Sequence, residues 1–403
     1  MTLTADELAA RSGVAPADVR RLVDLGLLSE RDPGRYDEAV IPRVRLAAAL
    51  EGSGISLADV ADAVRKTNLS LSFADRLFGR PSGVLSISGR QLASELAVSG
   101  DLVDEIQTSL GIDPEEPALE QDAEILRTLD RLISLGLDEQ VAARFFYVIV
   151  ENMRRVAQAG REMWRVGVEE PLLAAGLSHA EMLEAEAGPA PESQLLGERL
   201  VTLLWNRFIG DEIYQAAVVL LEKALTEAGV TRDREATPPA IAFLDLTGFT
   251  GLTERSGDEA ASHFARRLVD VLRPSAGRHR GRLVKMLGDG AMVHFAASGD
   301  AVRFALEVVE SVAAAGLAPA RVAINSGPVL LRDADFFGGT VNVAARLLDY
   351  ARPREVLVAA TVAEQVDDPG VEFREVGPAS LKGVQAPVLV YSAHHVPSAS
   401  QSR

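Results

Sequence analysis

The sequence predicts an α+β protein, with a helical first half joined through one long helix to a ferredoxin-like C-terminal domain. Three observations predict this. Up to residue 229 the apolar residues recur at helical spacings of three and four. From Ala240 the period changes, and the segments that follow read strand, helix, strand, strand, helix, strand, the ferredoxin-like order. Between the two regimes, Glu192–Gly229 reads as a single helix. Leu196, Leu200 and Leu203, then Tyr214, Val218, Leu221 and Leu225, form a coiled-coil-like seam broken near Gly210.

The 403 residues are enough for two to three domains, and 47% hydrophobic with 25% charged residues is ordinary for a globular chain. Cysteine is absent, which excludes disulfides, thiolate metal sites and cysteine nucleophiles and fits a reducing interior. Met1–Asp6 lacks the basic start and apolar core of a signal peptide, and no uncharged apolar stretch reaches membrane-span length. The expectation is a cytoplasmic protein with no membrane insertion. The net charge of −17 is uneven: residues 81–240 carry −15, and the segments on either side −1 each. The middle segment would repel a polyanion, so nucleic acid could meet only the ends.

Thr4 with Glu7 three residues on reads as a capping box opening a first helix, Leu8 and Ala9 face inward, and Gly13 makes a tight turn. A second short helix follows from Ala17, with Val19, Leu22 and Val23 inside. Arg31–Tyr36 reads as a wing, and Ile41–Leu50 and Leu57–Val64 as two further helices. With Gly26-Leu27-Leu28, Tyr36 and Gly54-Ile55-Ser56-Leu57, this run resembles the winged helix-turn-helix domains of the mercury-resistance-regulator family. The pattern recurs at constant offset from Ile87 through Val98, Val103 and Ile106, and Gly136-Leu137 repeats Gly54-Ile55, across a breaker cluster at 79–83. Two tandem all-α modules are expected, the second degenerate and acidic. Phe145, Phe146, Tyr147, Ile149, Val150, Met153 and Trp164 offer it a core. The region from about residue 110 to the long helix resembles the regulatory part of a mycobacterial pH-sensing adenylyl cyclase. The expected domains are 1–78, 84–190, the helix 191–230, a linker 231–239, a catalytic domain 240–393 and a disordered tail 394–403.

In the last third, Ala240–Leu246 reads as a buried strand and Glu259–Leu272 as a helix with Ala261, Phe264, Leu268 and Val271 on one face. Arg282–Lys285 and Ala291–Phe295 flank Gly288-Asp289-Gly290 and so form a hairpin. Helix Ala301–Ala314, strand Ala320–Ile324, helix Thr340–Leu348 and strand Glu355–Ala359 follow, and Leu381–Val384 with Pro387–Tyr391 close the sheet.

The chemistry-bearing residues lie on these elements. Asp245 ends its strand, and Thr247-Gly248-Phe249-Thr250 turns into a helix whose first amides can hold phosphate oxygens. Asp289 sits at a hairpin tip, Lys285 four residues before it, and Asp335 before Phe336-Phe337-Gly338. Asn342 and Arg346, four apart, share a helix face. Singly, these read as a helix cap, turn residues, a solvated strand lysine and a surface pair; jointly they resemble the catalytic domain of the class III nucleotide cyclases over about residues 238–392. The resemblance implies metal ligands Asp245, Leu246 and Asp289 for two Mg2+ or Mn2+ ions per site. It assigns adenine reading to Lys285 and Asp335, ribose orientation to Asn342 and transition-state charge on the α-phosphate to Arg346. Gly248, Phe249 and Thr250 bind the substrate's phosphates; Lys382 matches a contact to the outer phosphates, or is a turn lysine. It also implies ATP as substrate and a homodimer that builds each site from both chains.

The expected function is therefore an adenylyl cyclase regulated by its helical half. The alternative is a catalytically silent cyclase-like dimeriser or nucleotide sensor in a transcription regulator. Residues 1–78 carry Arg20, Arg21, Arg31, Arg35, Arg43 and Arg45 as a possible DNA surface, yet the module as a whole is not basic. The six histidines show no metal-ligand spacing.

Overall fold

Local capping chemistry sets the first elements of the structure, a computed structural model. It describes residues 2–78, 82–95, 99–230, 237–332 and 335–396, and leaves the side chains of Asp101 and residues 249–263 undescribed. Parts of the expected 79–83 join, Val98, most of the 231–239 linker and residues 397–403 lie outside these. The chain divides into two units, residues 1–231 and 232–403.

In the first unit β1 (Thr2–Leu3) leads into α1 (Ala5–Ser12), where the Thr4 hydroxyl accepts from Glu7 N and the Glu7 carboxylate from Thr4 N. Gly13, left-handed at φ +74°, ends it. Then come α2 (Pro16–Asp24), β2 (Tyr36–Asp37), α3 (Ile41–Gly52), α4 (Leu57–Lys66) and α5 (Ala74–Leu77). β1 pairs antiparallel with β2 across a core of Leu3, Leu8, Val19, Leu22, Tyr36, Ile41 and Val44. The same succession recurs as β3 (Val84–Ser88), α6 (Gly89–Ser94), α7 (Gly100–Leu110), β4 (Pro117–Leu119), α8 (Glu120–Ser134) and α9 (Glu139–Trp164). One offset separates Thr4 from Ser88, whose hydroxyl makes the equivalent capping box with Gln91, and Pro16 from Gly100.

Two expectations change here. The modules are helical but not all-α, since each carries a two-stranded ladder. Of the apolar set expected to core residues 139–166, Val150 is buried, while Phe145, Tyr147 and Met153 are exposed. After a π-helical turn (Arg165–Glu169), α10 (Glu170–Ala174) and α11 (His179–Glu186), the long helix α12 (Ala190–Glu227) follows as one element through Gly210. Its Leu196, Leu200, Leu203, Tyr214 and Leu221 stand exposed.

The second unit contains β5 (Ala240–Leu246), α13 (Phe249–Arg278), β6 (Gly281–Leu287), β7 (Gly290–Phe295), α14 (Ser298–Ala314), β8 (Ala320–Ser326), β9 (Leu330–Arg332), β10 (Asp335–Phe337), α15 (Gly339–Leu347), β11 (Val356–Ala359), α16 (Ala360–Ala363), β12 (Val371–Ala379) and β13 (Val388–His395). The seven-stranded sheet has the order β12-β13-β11-β8-β5-β7-β6. Its β8-β5-β7-β6 part, antiparallel throughout, is the ferredoxin-like arrangement. Alternation along β5 divides the two faces. Ala240, Ala242, Leu244 and Leu246 pack with Leu268 and Leu272 of α13 and Phe304 and Val308 of α14. Ile241 and Phe243 face the other way, with Met292, Phe336 and Ala344. Asp245 shares the parity of this second face.

Residues 381–384, expected to help close the sheet, form a turn; the strand before it is β12. An edge strand with most side chains in solvent offers no apolar run to read. The helix expected from Glu259 begins at Phe249, and β13 extends to His395, into the segment expected as a tail.

Candidate active site

Asp245 stands opposite Arg321 of β8 and, on its other side, opposite Gly290 of β7. Its Oδ2 accepts from Arg321 Nε at 3.0 Å and Nη2 at 2.6 Å, while Arg321 Nη1 donates to the Leu348 carbonyl at 3.3 Å. The hairpin beside it closes through two residues, Gly288 (φ +64°) and Asp289. Gly290 is required by close approach, since a Cβ there would lie 2.6 Å from the Leu244 carbonyl oxygen. The turn therefore delivers Asp289 next to Asp245. Burial pushes the Asp289 carboxyl up from its ordinary value, and the charge of Asp245 adds to this against Arg321. Leu246 follows on β5, its side chain in the core. Gly248, left-handed at φ +82°, turns the chain into α13. Phe249 and Thr250 open that helix, their side chains outside the described residues.

A second pair forms across the same sheet face. Between Leu283 and Lys285 the β6–β7 register shifts, so Lys285 pairs with Met292, a second-face core residue. Lys285 Nζ donates to Asp335 Oδ2, forming an ion pair, and Asp335 Oδ1 accepts from Phe336 N at 2.8 Å.

The third group lies on α15, which starts after Gly338 (φ +128°). Asn342 is exposed and Arg346 half-buried. A Cβ on Gly383 would lie 3.2 Å from Arg346 Nη1, so the guanidinium rests against the turn that carries Lys382. The structure thus groups Asp245 with Asp289, Lys285 with Asp335, and Arg346 with the Lys382 turn. Among the described residues no hydrogen bond or ion pair links one group to another.

Arg321 was missed by sequence reasoning, as were His294 and Arg282. The His294 ring lies parallel to Phe336 at 4.4 Å, and Arg282 Cζ sits 5.2 Å from the same ring's centre. Nothing in their spacing pointed to the site. Among the described residues no three His, Asp or Glu side chains cluster as a metal site. Two facing carboxylates, one with raised proton affinity, nonetheless fit a hard cation that keeps water and takes other oxygens from a phosphate.

Residues 234–394 match the adenylate and guanylate cyclase catalytic domain. An uncharacterized protein of Mycobacterium bovis, Mb2235, is 30% identical over 375 residues, covering 89% of this chain and 92% of that one. The pH-sensitive adenylate cyclase MT1302 of Mycobacterium tuberculosis is 28% identical over 363 residues, 87% of each chain. The crystal structure of the adenylyl cyclase CyaB from P. aeruginosa superposes with a TM-score of 0.36 at 21% identity, covering 40% of this chain and 95% of that one. The chain carries, in residues 234–394, a catalytic domain of the adenylate and guanylate cyclase family. It is an enzyme of the adenylate cyclase type, with its catalytic domain in the second unit.

Proposed function

We propose that the protein converts ATP to 3′,5′-cyclic AMP and pyrophosphate in a site built from two copies of the chain. The observation that carries this is the Lys285–Asp335 pair on the same sheet face as Asp245. An ammonium donor and a carboxylate acceptor complement the N1 acceptor and N6 amino donor of adenine; guanine presents the reverse pattern. That several relatives are named adenylate cyclases agrees with this choice. Two Mg2+ or Mn2+ ions held by Asp245, Asp289 and the Leu246 carbonyl would supply the positive charge that favours the 3′-alkoxide and the departing pyrophosphate. The chain's own residues position. Asn342 orients the ribose, Arg346 takes up charge on the α-phosphate, and Lys382 with the Gly248–Thr250 amides holds the outer phosphates. The 3′-oxygen bonds to the α-phosphorus, the bond to pyrophosphate breaks, and the hydroxyl proton leaves.

The helical half is the regulatory part of this proposal, with winged helix-turn-helix-like modules at 1–78 and 84–190 and α12 as the dimerising lever. The exposed apolar residues of α12 support that role. Five of the six arginines that suggested DNA binding have partners within the unit: Arg21 with Glu51, Arg31 with Asp37, Arg35 with Glu7, Arg43 with Asp75, and Arg45 with the carbonyls of Arg11 and Ser82. This favours a regulatory module over a DNA reader.

Turnover of ATP with Mg2+ or Mn2+ tests the proposal. Asp245→Ala and Arg346→Ala should each abolish activity, and a mixture of the two should regain part of it through one intact hybrid site. A mixture as dead as its components refutes the shared site. A wild-type protein without turnover supports the silent alternative.

A further inference from the structure

The hairpin that carries Asp335 is poorly tied to the sheet beneath it. Among the described residues, β9 and β10 pair with each other and with no strand of the seven-stranded sheet. Leu330, Leu331 and Phe337 are exposed, and among the described residues of β9 and β10 Phe336 is the buried one. Its ring therefore does most of the seating.

What it sits on is a cross-strand pair. Arg282 of β6 stands directly opposite His294 of β7, so both side chains emerge from the same sheet face about 5 Å apart. His294 stacks on Phe336 at an interplanar angle of 2°, and the guanidinium lies over the same ring. An aromatic stack and a cation over a ring each favour one geometry beyond simple burial. Burial, and then the charge of Arg282, holds the His294 imidazole below its ordinary value, which keeps it neutral beside the arginine.

The ring position fixes the carboxylate. Asp335 Oδ1 accepts from the Phe336 amide, and Oδ2 takes Lys285. The direction of the carboxylate therefore follows the 335–336 peptide, and that peptide follows the seated ring. We infer that His294 and Arg282 form a platform that holds Phe336, and through it Asp335, at the edge of the purine, which makes His294 a specificity-positioning residue. This inference rests on the proposal that Lys285 and Asp335 read the base.

The test uses the full-length protein, the KM and kcat for ATP, and inhibition by GTP as a competitor. His294→Ala should raise the KM for ATP and narrow its preference over GTP by roughly threefold to tenfold, with kcat at saturating ATP changed less. His294→Phe keeps an aromatic ring on Phe336 and should retain the wild-type preference. Phe336→Leu keeps the bulk and loses the ring, so it should resemble His294→Ala; it carries the comparison if that variant does not fold. Wild-type KM and preference in His294→Ala or Phe336→Leu, or a His294→Phe variant as impaired as His294→Ala, overturns the platform. Asp335→Ala is the reference. If it leaves the preference intact, base reading itself fails. If it abolishes the preference while both ring variants keep it, only the platform fails.

Discussion

Replacing Arg321 by methionine removes the counter-charge of Asp245 while keeping much of the side chain's volume. Two charge-assisted hydrogen bonds to one carboxylate oxygen are lost, with a third bond to the Leu348 carbonyl. Breaking a fully buried pair costs about 3–5 kcal/mol. Here both side chains are 24% exposed, so water recovers part of that, and about 2–3 kcal/mol of lost stability is expected. For a unit of this size that lowers the melting temperature by about 4–12 °C. Asp245 would also face Asp289 without its cation and without the fork that fixes its orientation, and supporting groups of this kind change metal affinity or activity by about 10–100-fold. Differential scanning calorimetry with and without Mn2+, beside ATP turnover, reads both effects. Arg321→Lys, which keeps the charge but not the fork, should fall between wild type and Arg321→Met. A methionine variant that melts within about a degree of wild type and turns over ATP normally would refute the reasoning.

Gly290→Ala should separate β5 from β7, since its Cβ meets backbone and not a movable side chain; a loss of about 1–3 kcal/mol and at least about tenfold in turnover is expected, read by thermal melt and kinetics. Glu307 accepts from Arg278, His279 and Ser275, and chiefly the Arg278 hydrogen bond lowers its carboxyl to about 2. The unfolded chain then binds the extra proton, so this stability is present above about pH 4.5 and is lost as pH falls toward 2. With the side chain 30% exposed, screening leaves about 1–2 kcal/mol. Glu307→Gln should therefore lower the melting temperature at pH 7 and narrow its gap to wild type in melts near pH 3.

Much of the catalytic unit was legible because its signals are local. The apolar run of β5, the Gly288-Asp289 turn and the four-residue spacing of Asn342 and Arg346 each state their geometry within a few residues. The same holds for the Thr4 capping box. Strand β12 was not legible, because as an edge strand it keeps most side chains in solvent and a register shift between Glu375 and Gly377 interrupts its alternation. The exposure of α12 was not legible either. Periodicity shows that an apolar face exists and is silent on what covers it.

Residue types and spacings are covalent facts, and they were sufficient for the α+β class, the Gly288-Asp289 hairpin tip and the shared helix face of Asn342 and Arg346; that Asp245 belongs with Asp289, and Lys285 with Asp335, came only from the resemblance to the cyclases. Which partner each would meet was left to strand register, a property of the packed sheet. Arg321 lies 76 positions from Asp245 and reaches it only because β8 pairs antiparallel with β5 in one alignment. A slip of one residue would turn either side chain to the opposite face. Within the legible β6–β7 hairpin, the bulge that puts Lys285 opposite Met292 and so sets Arg282 against His294 is a further feature of register that the turn residues do not announce.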